Sequence, residues 1–151
     1  MKISGEVHAV VMSSRKIVIE WGDCDPAGIV FFPRYFAFFD ACTWALFTLA
    51  LGMRKSELIK HHGIIGCPMV DVRARFLIPS TYGDEVTIES RVQEFRRSSF
   101  DVQHRLLRSD QLAVECLETR VWAGVDPEDP MRLRSQPVPD AVKRALNHES
   151  P

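Results

Sequence analysis

Apolar residues crowd one stretch of the chain before they settle into alternation further on. Between Tyr35 and Leu51, Phe36, Phe38, Phe39, Trp44, Leu46, Phe47 and Leu49 follow one another with few polar breaks. They do not keep to one helical stripe, so the spacing predicts a helix that must be covered on more than one side. Pro33 suits the first turn, where its missing N–H costs nothing, and Gly52 suits the position just past the end. From Pro33 to Leu51 such a helix would be about 28 Å long at 1.5 Å per residue. Asp40 lies inside it and Arg34 near its start. An aspartate near the middle of a lipid-exposed helix costs about 2.5–3.5 kcal/mol, which argues against a membrane span.

Either side of this helix the pattern is that of strands. Glu6 to Trp21 reads as a strand whose second half puts Ile17, Ile19 and Trp21 on one face and Lys16, Val18 and Glu20 on the other. Arg54 to His62 predicts a short amphipathic helix closed by Gly63, followed by a loop to Pro68. The period then becomes two: Val70, Val72, Ala74, Phe76 and Ile78 face one way, Asp71, Arg73, Arg75 and Leu77 the other. After a turn over Pro79–Asp84, Val86 to Gln93 alternates again. A tight connection at Arg96–Ser99 leads into Phe100–Leu106, and Ser109–Asp110 turns the chain into a last long strand, Gln111–Val125. Asp126 to Pro139, rich in proline and charge, predicts loop; Asp140 to His148 predicts a short helix that packs outside or frays.

One apolar helix with about five antiparallel strands, each apolar on one face, is an α+β layout. The economical packing is the hot-dog fold, a five- to six-stranded antiparallel sheet wrapped around the central helix as a single domain over residues 1–151. Such a sheet keeps two edges, so dimerisation by edge pairing is expected.

Composition narrows the partners. With 151 residues, 46% hydrophobic and 26% charged, the chain is long and apolar enough for a real core. A net charge of −1 gives no reason to expect nucleic acid or an anionic membrane. No apolar run of signal-peptide length precedes Arg15 and Lys16. Cys24, Cys42, Cys67 and Cys116 are scattered with no C-x-x-C pair, which points to reduced thiols in a cytoplasmic protein and to neither a disulfide frame nor a metal site.

Asp23 and Asp25 flank a cysteine in a glycine-bearing turn just ahead of the helix. Aspartate is a common turn and cap residue. A helix start nevertheless offers free backbone N–H groups and partial positive charge, which polarise a carbonyl while a nearby carboxylate attacks it or activates water. Asp40, on an otherwise apolar helix, either makes structural hydrogen bonds or meets a polar substrate group. Arg96 and Arg97 sit at a strand-to-strand turn, where charge is ordinarily solvated. His61 and His62 read as surface helix residues and His104 as a strand residue, none with a ligand-spaced partner.

The block Gly22-Asp23-Cys24-Asp25-Pro26-Ala27-Gly28-Ile29-Val30, followed by an aromatic pair, Pro33, Tyr35 and Asp40, resembles the 4-hydroxybenzoyl-CoA thioesterase family of hot-dog enzymes. The likeness recurs at Gly63–Pro68, Tyr82–Asp84 and Arg96–Phe100, and runs from about Ile17 to Arg134 in one register. It implies hydrolysis of an aryl-CoA thioester without metal or redox cofactor. Asp25 would be the nucleophile or general base, with the backbone N–H of Phe32 holding the carbonyl oxygen. It further implies that Phe31, Asp40, Gly66, Arg96, Arg97 and Ser98 contact substrate: Asp40 towards the ring hydroxyl, the turn residues against the CoA phosphates. Ser98 stands where a relative has a third cation. The resemblance implies an acyl pocket at a homodimer interface, with dimers assembling into homotetramers. A broader acyl-CoA thioesterase and a non-catalytic acyl-CoA-binding protein are the competing readings. The intact Asp25 speaks against the second, and a hydratase would want an aspartate–histidine pair that is not apparent here.

Overall fold

The computed structural model describes residues 10–147. Helix α1 runs from Phe32 to Leu51, with proline in its first turn, and ends at Gly52, whose φ of 68° supplies the left-handed cap. It buries Tyr35, Phe39, Cys42, Thr43, Trp44, Leu46 and Phe47, residues on several of its sides. No single helix among the described residues is long and apolar enough to cross a membrane.

What covers α1 is an antiparallel sheet of β1 (Met12–Val18), β2 (Met69–Phe76), β3 (Glu85–Phe95), β4 (Ser99–Arg108) and β5 (Gln111–Val121) in the order β1-β3-β4-β5-β2. The register sets Ile88 against Leu106 and Val92 against Val102, so the apolar rows of neighbouring strands coincide on the helix side. The same register places His104 between Ser90 of β3 and Cys116 of β5. The core divides along the helix. Phe39 packs with Ile19, Val30, Ile88 and Leu106 near its start, and Phe47 with Leu58, Phe100 and Trp122 near its end. Burying each such side chain contributes about 1.5–3 kcal/mol. Helix α2 (Lys55–His62) closes that far end, capped by Gly63.

Several elements differ from the pattern-based expectation. The first strand stops at Val18; Trp21 opens a 3-10 turn, Trp21–Asp23, and is 78% exposed. The part of that expected strand from Glu6 to Ala9 lies outside the described residues. The last long strand breaks at Trp122, which is buried. Beyond it β6 (Ala123–Asp126) and β7 (Asp129–Ser135) form a separate hairpin where loop is expected. β7 is exposed throughout; Met131 and Leu133 alternate with Arg132 and Arg134, but the run is short and adjoins Pro130 in a segment rich in proline and charge, so it does not stand out as a strand. Helix α3 (Asp140–Leu146) does not lie outside: Val142 and Leu146, four residues apart, are fully buried against the Phe47 end of the core. His148 lies outside the described residues.

Candidate active site

The turn ahead of α1 gives its two aspartates different work. Asp23 is 5% exposed. Its Oδ2 accepts the Glu20 N–H at 2.9 Å, and Oδ1 accepts from Arg34 Nε and Nη2 at 3.0 and 2.8 Å. Its backbone carbonyl accepts the Phe31 N–H at 2.9 Å, so Asp23 ties the turn to the first turn of the helix. Asp25 makes one side-chain bond among the described residues, accepting the Ala27 N–H on Oδ1 at 2.8 Å. Gly28, at φ 80°, closes the turn by donating to the Asp25 carbonyl at 2.9 Å. Half-buried, Asp25 lines a cavity of about 370 Å³ with Trp21, Cys24, Gly28 and Tyr82, the two aromatic rings meeting edge-on at 5.9 Å.

The start of α1 is open. Phe31 occupies the cap position but offers no side-chain acceptor, and the Phe32 N–H has no partner among the described residues. That donor lies at the positive end of the helix dipole. Phe31 and Phe32 are 47% and 57% exposed, and Phe32 meets Phe76 at 6.5 Å on the edge strand β2.

Asp40 and Gly66 come together in a second cavity, of about 330 Å³, with Trp44, Lys55, Arg120 and Leu133. Behind its wall runs a buried polar chain. Arg120 Nη2 stands 2.8 Å from Asp40 Oδ1, Nε donates to Glu118 Oε2 at 2.8 Å, and Nη1 donates to the Cys67 carbonyl at 3.1 Å. Thr43 of α1 donates its hydroxyl proton to Glu118 Oε2 at 3.0 Å. With that proton committed, Thr43 Oγ1 accepts at 3.1 Å from His104, which assigns the imidazole proton to Nε2. His104 Nδ1 meets Ser90 Oγ at 2.7 Å, and Phe39 stacks on the ring. Burial pushes the Glu118 carboxyl up, but the nearby His104 ring, 3.4 Å away, and the hydrogen bond and charge of Arg120 outweigh it and hold it at about 2. His104 is the strand residue expected from its spacing; it is fully buried and bonded through both ring nitrogens. A signal for this chain exists in the sequence: His104, Glu118 and Arg120 occupy inward positions of strands whose other inward residues are apolar.

The β3–β4 turn separates its two arginines. Arg96 donates to Asp101 at 2.6 and 3.1 Å, to Glu94 at 3.2 Å and to Ser99 at 2.9 Å. The Arg97 side chain makes no ion pair or hydrogen bond among the described residues. The turn is fastened to the Gly66 region: Ser98 O accepts from Trp122 N at 2.8 Å, and Gly66 O accepts from Ala123 N at 3.2 Å. β7 adds two exposed cations, Arg132 and Arg134, inside the segment expected to be loop. Thus Asp40, Gly66 and the turn gather towards one end of the molecule, while Asp25 lines a different cavity beside the start of α1. His61 is exposed, but His62 is half-buried with its ring edge-on to Trp122 at 5.3 Å.

A carboxylate beside an uncapped helix start, on a helix wrapped by this sheet order, coincides with a match of residues 19–146 to the model of the thioesterase-like superfamily. The chain belongs to that superfamily. It is 39% identical over 137 residues to the 4-hydroxybenzoyl-CoA thioesterase of Pseudomonas sp. strain CBS-3, covering 87% of this chain and 93% of the relative. A solved structure of a 4-hydroxybenzoyl-CoA thioesterase variant complexed with 4-hydroxybenzoyl-CoA superposes with a TM-score of 0.82 at 34% identity, over 89% of this chain and 98% of the other. A gentisyl-coenzyme A thioesterase superposes with a TM-score of 0.76 at 29% identity, over 89% and 99%. Among the described residues of this thioesterase-superfamily chain, no three His, Cys, Asp or Glu side chains gather in a way that could hold a metal ion.

Proposed function

We propose that the protein is an aryl-CoA thioesterase that hydrolyses 4-hydroxybenzoyl-CoA or a close relative to the free acid and CoA. The observation that carries this reading is the pairing of Asp25, whose carboxylate lines an open cavity, with the unpartnered Phe32 N–H at the start of α1. The N–H donates a hydrogen bond to the carbonyl oxygen as negative charge develops there, and Asp25 attacks the carbonyl carbon or takes a proton from the attacking water. With activated water the acyl C–S bond breaks as a C–O bond to the water oxygen forms, and CoA leaves as its thiol; with Asp25 as nucleophile the C–S bond breaks to give a mixed anhydride, which water then hydrolyses to the free acid and the restored carboxylate. Phe31 borders the acyl slot, with Asp40 and Gly66 at its far end, and the Arg96–Arg97–Ser98 turn faces the CoA phosphates. No dissociable cofactor is required, and four free cysteines support a cytoplasmic home.

In this reading the site is shared by two chains, because Asp25 and Asp40 line separate cavities of one chain. The exposed edge of β2, with Val70 and Phe76 at its surface and Phe31 and Phe32 alongside, supports a homodimer built there and assembling further into a homotetramer. The test is steady-state kinetics of purified protein with benzoyl-, 4-hydroxybenzoyl-, phenylacetyl- and butyryl-CoA. The aryl thioesters should be preferred. Asp25→Asn should fold normally and lose about a hundred-fold or more in kcat. Asp23→Asn should keep most activity and lower Tm, because its role is to join turn and helix. Full activity in Asp25→Asn would overturn the mechanism.

A further inference from the structure

The buried chain that starts at Ser90 and ends at Asp40 is not used by the hydrolysis itself, and stability is a poor reason for it. Buried ionic clusters replaced by apolar side chains of similar volume often leave a fold no less stable. This one is directional. Its inner members, Ser90, His104 and Glu118, are fully buried, whereas the Asp40 side chain is 48% exposed. Arg120 is the joint between them and is itself 3% exposed.

The guanidinium is a rigid plane, so fixing two of its nitrogens fixes the third. Nε is tied to Glu118 of β5 and Nη1 to the Cys67 carbonyl beside Gly66. Glu118 is held in turn by Thr43 from α1. Nη2 is left 2.8 Å from Asp40 Oδ1, buried and without a hydrogen bond of its own. Asp40 Oδ2 has no partner among the described residues, and Asp40 and Arg120 both line the cavity that holds Gly66. Arg120 therefore holds one oxygen of Asp40 and leaves the other as an open acceptor in the cavity.

We propose that Arg120, rooted on Glu118, is a specificity-determining positioning residue that fixes Asp40 so that the cavity favours acyl groups bearing a hydroxyl over unsubstituted ones. The inference rests on the thioesterase reading. A hydroxyl satisfies the open oxygen by donating its proton to Asp40 Oδ2. An unsubstituted aryl group excludes water from that oxygen without pairing it, and sites built to hydrogen-bond a substrate hydroxyl strongly reject analogues that lack it.

The experiment compares wild type, Arg120→Lys, Asp40→Asn and the double variant on 4-hydroxybenzoyl-CoA and benzoyl-CoA. It also compares their binding, by calorimetry, to the non-hydrolysable thioethers 4-hydroxybenzyl-CoA and benzyl-CoA. Lysine keeps the charge and loses the fork. Arg120→Lys should lower kcat/KM for both thioesters, but about ten-fold more for the hydroxylated one, and should narrow the thioether binding ratio in the same sense. The double variant should discriminate no less than the worse single variant, because both substitutions break one device. Equal losses for the two acyl groups, with the wild-type ratio kept, would make Arg120 a purely structural residue and overturn the proposal. Should Arg120→Lys not fold, Glu118→Gln removes the charge that seats Arg120; the same fall in ratio is expected, and an unchanged ratio overturns the proposal. A wild type inert towards both thioesters would overturn the thioesterase reading instead, and the thioether ratio would still judge Arg120. Binding of neither thioether would overturn both.

Discussion

Arg96 is spent on its own turn, where its hydrogen bond to Asp101 above all, and the charges of Asp101 and Glu94, raise its pKa beyond the usual guanidinium range. Asp101 is held down by the same bond and accepts a second one from Thr119 of β5 at 2.8 Å. Arg97, one residue on, has no such obligation among the described residues. Adjacent cations of one motif therefore have separable roles. Arg97→Ala should raise KM for CoA thioesters about ten-fold with little change in kcat, because a remote phosphate is held equally in ground and transition states. The effect should disappear with a pantetheine thioester that lacks the nucleotide. Arg96→Ala should instead lower Tm, by loosening the turn that Glu94, Ser99 and Asp101 share. Kinetics on the two thioesters beside a thermal melt of each variant checks both statements. Equal KM effects with and without the nucleotide would make Arg97 structural.

At the scale of elements, alternation was enough for β2 to β5 and a dense apolar run for α1, since Gly52 and the Ser109–Asp110 turn mark ends as plainly as the apolar residues mark buried faces. It misleads where tertiary context decides. In β2 a bulge between Met69 and Asp71 shifts the register, and Val70, which shares the apolar face in the sequence pattern, is 60% exposed. The β6–β7 hairpin is hard to read because β6 has only four residues and the short Met131–Arg134 alternation of exposed β7 adjoins Pro130. In the site, the Asp25 turn was legible from its residues. The Asp40–Arg120–Glu118–His104 chain was signalled only by polar residues at inward strand positions; its pairings were not legible, since they join helix and strand residues far apart in sequence. Helix α3 shows how little signal a docked element needs: two apolar residues in one helical row carry it into the core, and Val11 N–H donates to the Leu146 carbonyl at 3.1 Å. Leu146→Ala should thus cost about 2–5 kcal/mol, far above a surface substitution on a frayed end. Urea unfolding measures it, and a cost under about 0.5 kcal/mol would mean that α3 is dispensable to the core.

The whole molecule has an asymmetry along α1: Asp25 and the Phe32 N–H stand at its start, whereas Asp40 lies about 12 Å further along it at 1.5 Å per residue. Asp40 shares its cavity with Gly66, and backbone hydrogen bonds through Trp122 and Ala123 link Gly66 to the Arg97 turn. A second copy paired along β2 by a two-fold axis presents the same apolar edge to itself and brings the start of one helix towards the other chain's cavity. The prediction is that Asp25 of one chain serves the same site as Arg97 of its partner. Asp25→Asn and Arg97→Glu, each weakly active alone, are mixed in equal amounts and allowed to exchange subunits. Half of the resulting dimers are then mixed, each with one site that keeps both wild-type residues and one that has lost both. Activity should recover to about one quarter of wild type, as statistical exchange between two-fold dimers requires. Recovery should follow the appearance of mixed dimers, tracked by native mass spectrometry of one isotopically labelled variant. Verified exchange without recovery would assign both residues to one chain's site, and a fully active monomer in sedimentation at assay concentration would reject the shared site altogether.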